Sequence, residues 1–162
     1  MATNMAMATV TRAAEGQTCR CLDTDFTFKV TAAETGGAYS MMEIVSGPQL
    51  GVPPHMNEQD ETHMVAEGTY GFVLGDQQMV LGPGDLVYVP RGVAHGFQNI
   101  GETVGRIIFI ASPGGPGERF VEELAVAMAG KGIADTADPA VLQRIAEIGA
   151  RHGVTMAPPP GA

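Results

Sequence analysis

The stretch of sequence that decides the fold is GDLVYVPRGVAHGFQN, at residues 84–99. It contains two segments that are typical of short β-strands, residues 85–89 and residues 94–98. Between them lies Pro90-Arg91-Gly92, and proline and glycine are the residues that tight turns between short strands use. The stretch therefore predicts two strands joined by a tight turn, with His95 in the second strand.

Segments of the same kind recur on both sides of this stretch, at intervals of about ten residues. Residues 25–30, DFTFKV, alternate apolar and polar side chains, which is the pattern of a half-buried strand. Further strands are predicted at residues 39–45, 69–74, 78–81 and 103–111, with a hairpin turn at Gly75-Asp76. Short strands at regular spacing favour an antiparallel sandwich or barrel.

The end of the chain changes from a β pattern to a helical one. One helix is predicted at residues 118–129, and a second begins at Asp138-Pro139, an N-cap residue followed by proline at the first helical position. The apolar stripes are Phe120, Val121, Leu124 and Met128 on the first helix and Val141, Leu142, Ile145 and Ile148 on the second.

These patterns divide the chain into four parts. We expect a flexible N-terminal arm at 1–20, a β-barrel at 21–114, a helical extension at 115–154 and a disordered tail at 155–162. The two cysteines, Cys19 and Cys21, are too close in sequence for an unstrained disulfide, so we expect two thiols near the first strand.

Composition narrows the class of protein. A chain of 162 residues with 44% hydrophobic and 17% charged residues is an ordinary globular domain, and wholesale disorder is excluded. The net charge of −9 and the scattered basic residues argue against a nucleic-acid partner. Because we find neither a membrane-length apolar run nor a secretory signal, we expect a cytoplasmic protein with no membrane partner.

Five polar residues in the β-rich middle are the candidate site. His55 and Asn57 are two positions apart, as are Glu61 and His63, so each pair points to one side of an extended chain. His95 lies in another predicted strand. Buried imidazoles and a carboxylate are costly unless something satisfies them, and a divalent metal would do so. Two histidines and one carboxylate leave open coordination positions, a pattern suited to non-haem Fe(II) and related ions.

The glycines and prolines around these residues carry a resemblance to the cupin superfamily. Residues 84–99 resemble its second signature at Gly84, Pro90, Gly92, His95 and Asn99. Residues 51–68 resemble its first signature, from Gly51 through Pro53-Pro54-His55-Met56-Asn57 to Glu61 and Gly68. The strands and the helical tail outside these motifs are similar in pattern to small cupins of the quercetin-dioxygenase-like type.

This resemblance implies a double-stranded β-helix, a jelly-roll barrel with two C-terminal helices and a site inside. It also implies the metal ligands His55, Glu61 and His95. Asn57 stands where the family usually has a second histidine, and its amide oxygen is a poorer ligand for Fe, Ni, Cu or Zn. Three alternatives follow: a working triad, a fourth ligand from His63, or a weak or absent metal.

The resemblance further implies a metal-dependent cupin oxygenase, similar to quercetinase. Its substrate would be a small aromatic, enolic or polyketide-like molecule from natural-product biosynthesis. The candidate catalytic residues are Glu61, as ligand and base, and His63, as an acid or base group. The implied cofactor is a divalent transition metal, one of Fe, Ni, Mn, Co, Cu or Zn.

Two other functions remain open from the sequence. One is a non-redox cupin isomerase, cyclase or lyase, and the other is a non-catalytic small-molecule-binding cupin. His63 is also compatible with a purely structural place in the core. Residues 106–111, RIIFIA, are apolar on both faces, and together with the resemblance this predicts a homodimer.

Overall fold

The structure is a computed structural model that describes residues 8–157. The strands are β1 (Thr18–Cys21), β2 (Thr24–Val30), β3 (Ser40–Ser46), β4 (Gly51–Met56), β5 (Asp60–Glu67), β6 (Tyr70–Leu74), β7 (Gln77–Leu81), β8 (Leu86–Val89), β9 (His95–Asn99), β10 (Gly105–Ser112) and β11 (Thr155–Met156). The helices are α1 (Ala32–Thr35), α2 (Pro116–Ala127) and α3 (Pro139–Arg151), with a 3₁₀ helix at Ile133–Ala137 between the last two.

The strands form two antiparallel sheets. One sheet has six strands in the order β1-β2-β3-β10-β5-β8, and the other has five in the order β11-β4-β9-β6-β7. From β3 onward, successive strands lie in different sheets, except for β6 and β7, so the chain crosses repeatedly from one sheet to the other. This confirms the predicted mainly β architecture with helices near the C-terminus.

The hairpin that joins β6 and β7 has the predicted turn. Leu74 pairs with Gln77, which leaves Gly75 and Asp76 as a two-residue connection. Gly75 has a φ of 54°, in the left-handed region that glycine enters without steric cost. The turn fixes the register of the two strands, so that Phe72 and Met79 lie opposite each other.

The hydrophobic core lies between the two sheets. Strand β10 shows the alternation most clearly, because Ile107, Phe109 and Ala111 are buried while Ile110 is exposed. Tyr70, Phe72 and Phe97 from the five-stranded sheet meet these side chains as part of one buried cluster. Each such large side chain contributes about 1.5–3 kcal/mol through its burial. The core therefore holds the two sheets together below the candidate site.

The C-terminal helices follow the predicted pattern with one error. The side chain of Asp138 accepts a hydrogen bond from the backbone of Ala140, as expected of the N-cap of α3. Val141, Ile145 and Ile148 are buried, but Leu142 is 48% exposed, so its placement in the apolar stripe was wrong. Leu142 follows Val141 directly, and a step of one residue turns a side chain about 100° around a helix.

Two strands lie at least partly in segments that we expected to be an arm and a tail. Strand β1 begins at Thr18, inside the expected arm, and its cysteines are buried in the cluster that includes Val121 of α2. Strand β11 begins at Thr155, inside the expected tail, and pairs with β4. Both strands are short, and neighbouring elements rather than their own sequence hold them in place. Residues 1–7 and 158–162 lie outside the described part of the chain.

No helix within residues 8–157 combines the length and the apolar character that a membrane crossing demands.

Candidate functional site

Both sheets contribute side chains to the candidate site. His55 lies on β4 and His95 on the neighbouring β9, where the two residues pair in register. Glu61 and His63 lie on β5, in the opposite sheet, and both are buried. Alternation along β5 points these two side chains to the inside, as their spacing predicted. The sandwich therefore brings residues from three strands to one interior point.

His55, Glu61 and His95 form a compact group of possible metal ligands. One ligand atom from each residue lies within 4.8 Å of the other two. Glu61 and His95 are 4% and 1% exposed, whereas His55 is only half-buried. The ring centroids of His55 and His95 are 4.4 Å apart. The structure thus brings together the three residues that the sequence motifs indicated as ligands.

Backbone carbonyl groups orient the two imidazoles. Nδ1 of His55 lies 3.0 Å from the carbonyl oxygen of Pro53, and Nδ1 of His95 lies 2.9 Å from that of Val93. A carbonyl oxygen can only accept, so each Nδ1 carries a hydrogen and donates it. This arrangement fixes the ring and leaves Nε2 for the interior, as is common for histidines that bind metals.

Both oxygens of Glu61 have polar neighbours. Oε2 lies 2.7 Å from Nε2 of His95 and 3.1 Å from Nε2 of His63. Oε1 accepts a hydrogen bond from the side-chain amide of Asn57. All five residues that the sequence indicated are therefore within one network, with His55 beside His95 at its rim.

The network sets the charges of its members. Burial acts to raise the pKa of Glu61, but hydrogen bonds from His63 and His95 outweigh it and hold that pKa below its usual range. Burial acts to lower the pKa of His95, and the hydrogen bond and charge of Glu61 outweigh it and raise that pKa. Burial lowers the pKa of His55 to about 4, with a further contribution from His95. At neutral pH the site therefore holds a carboxylate and a neutral His55.

The donor set fits a divalent transition metal. Because Nδ1 of His95 donates to the backbone, a neutral His95 would turn the lone pair of Nε2 towards an oxygen of Glu61 only 2.7 Å away. Two acceptors at that distance repel unless a proton or a cation lies between them. Imidazole and carboxylate together suit Fe, Co, Ni, Cu and Zn. The contacts are thus compatible with a metal centre, and several metals fit its ligands.

His63 occupies the most apolar part of the site. The rings of Phe72, Phe97 and Phe109 surround its imidazole, with centroid distances of 5.8, 5.6 and 5.1 Å. Its Nδ1 is buried and has no hydrogen-bond partner among the described residues. His63 is not one of the three residues whose ligand atoms converge. It faces Glu61, as predicted, from the side opposite the rim.

Sequence reasoning missed two residues that hold the loops around the site. Gln59 is 3% exposed, and its backbone N–H donates to the side-chain oxygen of Asn57 at 3.2 Å. Arg91, in the turn before His95, donates to Asp60 through both its backbone and its guanidinium group. No spacing rule relates Asp60 to a residue about thirty positions later, so only the fold could reveal this pair.

Comparison with known proteins finds similarity to a cupin domain in part of the chain. Residues 41–111 match the family of the cupin domain. An uncharacterized protein of Streptomyces coelicolor is 38% identical over 60 residues, which is 37% of this chain, and the chain spans about half (54%) of that relative. The matches do not single out a quercetin-dioxygenase-like subgroup.

Solved structures show that the fold is a cupin β-sandwich. An RmlC-like cupin from Shewanella frigidimarina is 17% identical, with a TM-score of 0.58 over 66% of this chain and 92% of its own. A predicted oxalate decarboxylase from Thermotoga maritima is 17% identical, with a TM-score of 0.60 over 65% and 99%. The polyketide cyclase RemF from Streptomyces resistomycificus is 19% identical, with a TM-score of 0.59 over 84% and 97%.

Proposed function

We propose that this cupin-fold protein is a metal-dependent oxygenase, similar in type to quercetinase, for a small aromatic, enolic or polyketide-like substrate. The observation that supports this most strongly is the convergence of His55, Glu61 and His95, whose ligand atoms lie within 4.8 Å of one another. Two imidazoles and one carboxylate are the donor set typical of non-haem Fe(II) oxygenases.

The proposed cofactor is a divalent transition metal, with Fe, Ni, Mn, Co, Cu and Zn all compatible with these ligands. Bound there, it would supply Lewis acidity towards a substrate oxygen and, if redox-active, activation of dioxygen. His55 and His95 would offer Nε2, because their Nδ1 atoms are engaged by backbone carbonyls. Glu61 would offer a carboxylate that is ionised at neutral pH.

The exposure of the ligands indicates the side from which a substrate would approach. Glu61 and His95 are buried, and the Phe72, Phe97 and Phe109 rings fill the interior beyond them. His55 is half-buried at the rim. We therefore propose that the substrate approaches from the His55 side.

Glu61 and His63 are the residues that would handle the proton of a substrate hydroxyl. Glu61 is the buried carboxylate at the centre of the network, but its lowered pKa makes it a weak base. His63 contacts it at 3.1 Å and has an unpaired Nδ1 among the described residues. Through that contact, His63 would hold the Glu61 carboxylate in place while Glu61 takes the proton.

The test is an assay of dioxygen consumption together with loss of the ultraviolet-visible band of a flavonol. The protein would be reconstituted with Fe(II), Ni(II) or Co(II), and the metal-free protein is the control. We expect substrate loss coupled to oxygen uptake with at least one metal, and a large decrease in the Glu61→Gln variant. No turnover with any of these metals would remove the quercetinase-like function.

A second candidate is a non-redox reaction, such as a cyclisation. The similarity to the polyketide cyclase RemF favours it, because that likeness covers 84% of this chain. In such a reaction a bound metal would supply Lewis acidity, and Glu61, held by His63, would exchange a proton with the substrate. The two candidates differ in their need for oxygen: product formation under strict anaerobiosis supports the non-redox reaction and contradicts the oxygenase.

A further inference from the structure

We propose that Asn57 and His63 are positioning residues for Glu61 and not metal ligands, so that the metal centre has two imidazole ligands and one carboxylate ligand. This inference rests on the proposed metal-dependent function. It concerns the two residues for which the sequence left several roles open.

The orientation of the Asn57 amide excludes its oxygen from the metal site. The side-chain oxygen accepts the backbone N–H of Gln59 at 3.2 Å, and this contact identifies which end of the amide is oxygen. The amide nitrogen therefore points at Glu61 and donates to Oε1. The backbone carbonyl of Asn57 in turn accepts the N–H of Gly92 at 2.8 Å, which anchors the residue to the turn before His95. An amide nitrogen that donates hydrogens has no lone pair for a metal.

The hydrogen-bond geometry of His63 leads to the same conclusion. Nε2 of His63 lies 3.1 Å from Oε2 of Glu61, and a carboxylate oxygen can only accept. Nε2 is therefore the donor and has no lone pair to offer. Nδ1 keeps its lone pair, but it is buried and without a partner among the described residues, on a ring enclosed by Phe72, Phe97 and Phe109.

Together the two residues hold the carboxylate at both ends. Asn57 donates to Oε1 and His63 donates to Oε2, so rotation of the Glu61 carboxylate would break at least one of these hydrogen bonds. A ligand held in this way is preorganised for the metal. Loss of such outer partners typically lowers metal affinity about 10–100-fold.

The experiment measures Cu(II) binding to the whole chain and counts the coordinated nitrogens from the hyperfine pattern in electron paramagnetic resonance spectra. His63→Phe keeps an aromatic ring among the phenylalanines but removes the donor. His63→Gln keeps a donor, Asn57→Ala removes the amide, and His55→Ala removes a ligand. His152→Gln is the matched control, since His152 is paired with Glu123 in the helical extension.

We expect two coordinated imidazole nitrogens in the wild-type protein, in both His63 variants, in Asn57→Ala and in the control, but one in His55→Ala. His63→Phe and Asn57→Ala should weaken Cu(II) binding by about 10–100-fold without changing its stoichiometry. His63→Gln should restore most of the affinity. If His63→Phe does not fold, the nitrogen count in His63→Gln still tests whether His63 is a ligand, and Asn57→Ala still tests the loss of affinity.

A third nitrogen that disappears in both His63 variants would overturn the inference, as would unchanged Cu(II) affinity in His63→Phe and Asn57→Ala. The readout does not depend on turnover. Two coordinated nitrogens in a protein without oxygenase activity would refute the proposed reaction and uphold the ligand set. A third nitrogen in an active oxygenase would uphold the reaction and refute the ligand set.

Discussion

Asn99, the last residue of the second motif, forms hydrogen bonds with the backbone around it. It is fully buried, and its amide donates to the carbonyl oxygens of Ser46 and Thr103. Its side-chain oxygen accepts the backbone N–H of Gly101 at 3.0 Å. Asn99 is thus a structural link between the end of β3 and the loop that joins β9 to β10.

We predict that Asn99→Ala lowers the free energy of unfolding by about 2–4 kcal/mol, because buried backbone groups lose their partners. Equilibrium unfolding in urea measures this. Gln98→Ala is the matched control, since Gln98 is exposed and donates only to the Gln49 carbonyl, and it should change stability by less than about 0.5 kcal/mol. Equal effects of the two substitutions would contradict the assigned role.

The two thiols of β1 are chemically protected. Cys19 and Cys21 are 7% and 4% exposed, and the thiol of Cys21 donates to the Val121 carbonyl at 3.5 Å. Burial raises the pKa of Cys21 to about 12, with smaller contributions from Cys19 and Asp25. Burial also raises the pKa of Cys19, against a hydrogen bond from Gln17 that lowers it.

A raised pKa keeps a thiol neutral, and the thiolate is the reactive form. At pH 8 we therefore expect a disulfide reagent such as Ellman's to modify the native protein more than about 100-fold more slowly than the denatured protein. The denatured chain should release two thiol equivalents, matching its two cysteines. Rapid modification of the native protein would show that β1 is not buried beneath α2.

Single residues of the site differed in how far the sequence could predict them. His55, Glu61 and His95 were predictable because strand alternation and motif spacing bring their side chains to the interior. The role of Asn57 was not, because the N–H of Gln59 decides which end of the amide meets Glu61. The environment of His63 could not be predicted either, since its phenylalanine neighbours come from three different strands.

At the scale of the elements, the close spacing of strands β4 and β9 depends on Gly96. A Cβ atom on Gly96 would lie 2.8 Å from the nitrogen of Pro54 and 2.9 Å from the oxygen of Val52. Both contacts are with the backbone of β4, directly before His55. The absence of a side chain at position 96 therefore allows His55 and His95 to lie side by side.

We predict that Gly96→Ala lowers stability by about 1–3 kcal/mol through overpacking and also weakens metal binding, because it pushes β4 away from β9. Gly71→Ala is the control, since a Cβ there would meet only the side chain of Ile100 at 3.4 Å. Urea unfolding and metal titration measure both effects. Unchanged metal affinity in Gly96→Ala would mean that the spacing of the two strands does not govern the site.

Elements with a clear sequence pattern lie where it predicted them: the alternating segment 25–30 forms β2, and α3 begins at Pro139 and departs from its predicted stripe at Leu142. Strands β1 and β11 did not, because each has few residues and depends on a distant element: β1 lies against α2, and β11 pairs with β4. Strand β4 contains Pro53 and Pro54, residues that are unfavourable in strands. Its pairing partners in the fold outweigh that local preference.

At the scale of the whole molecule, one outer face of the six-stranded sheet is apolar. Leu86 and Tyr88 on the edge strand β8 are 57% and 58% exposed, and Met64 and Ile110 are each 37% exposed. The pairing registers place these side chains on neighbouring strands, so the patch is continuous. This face supports the homodimer that we propose from the sequence.

We predict a dimeric mass at micromolar concentration by light scattering coupled to size-exclusion chromatography. Leu86→Arg and Tyr88→Arg should shift the protein towards the monomer, because each would bury an unpaired charge at the contact. Val126→Arg, at an 80% exposed position on α2, should leave the mass unchanged. A wild-type monomer at these concentrations would contradict the proposal.

The central claim is that His55, Glu61 and His95 hold a transition metal, and elemental analysis tests it most directly. Untagged protein purified without chelator, and if necessary reconstituted, would be compared with the His55→Ala and His152→Gln variants. We predict about one transition metal ion per chain in the wild-type protein and in His152→Gln, and a large loss in His55→Ala. No bound metal even after reconstitution, or equal metal content in all three proteins, would contradict the claim.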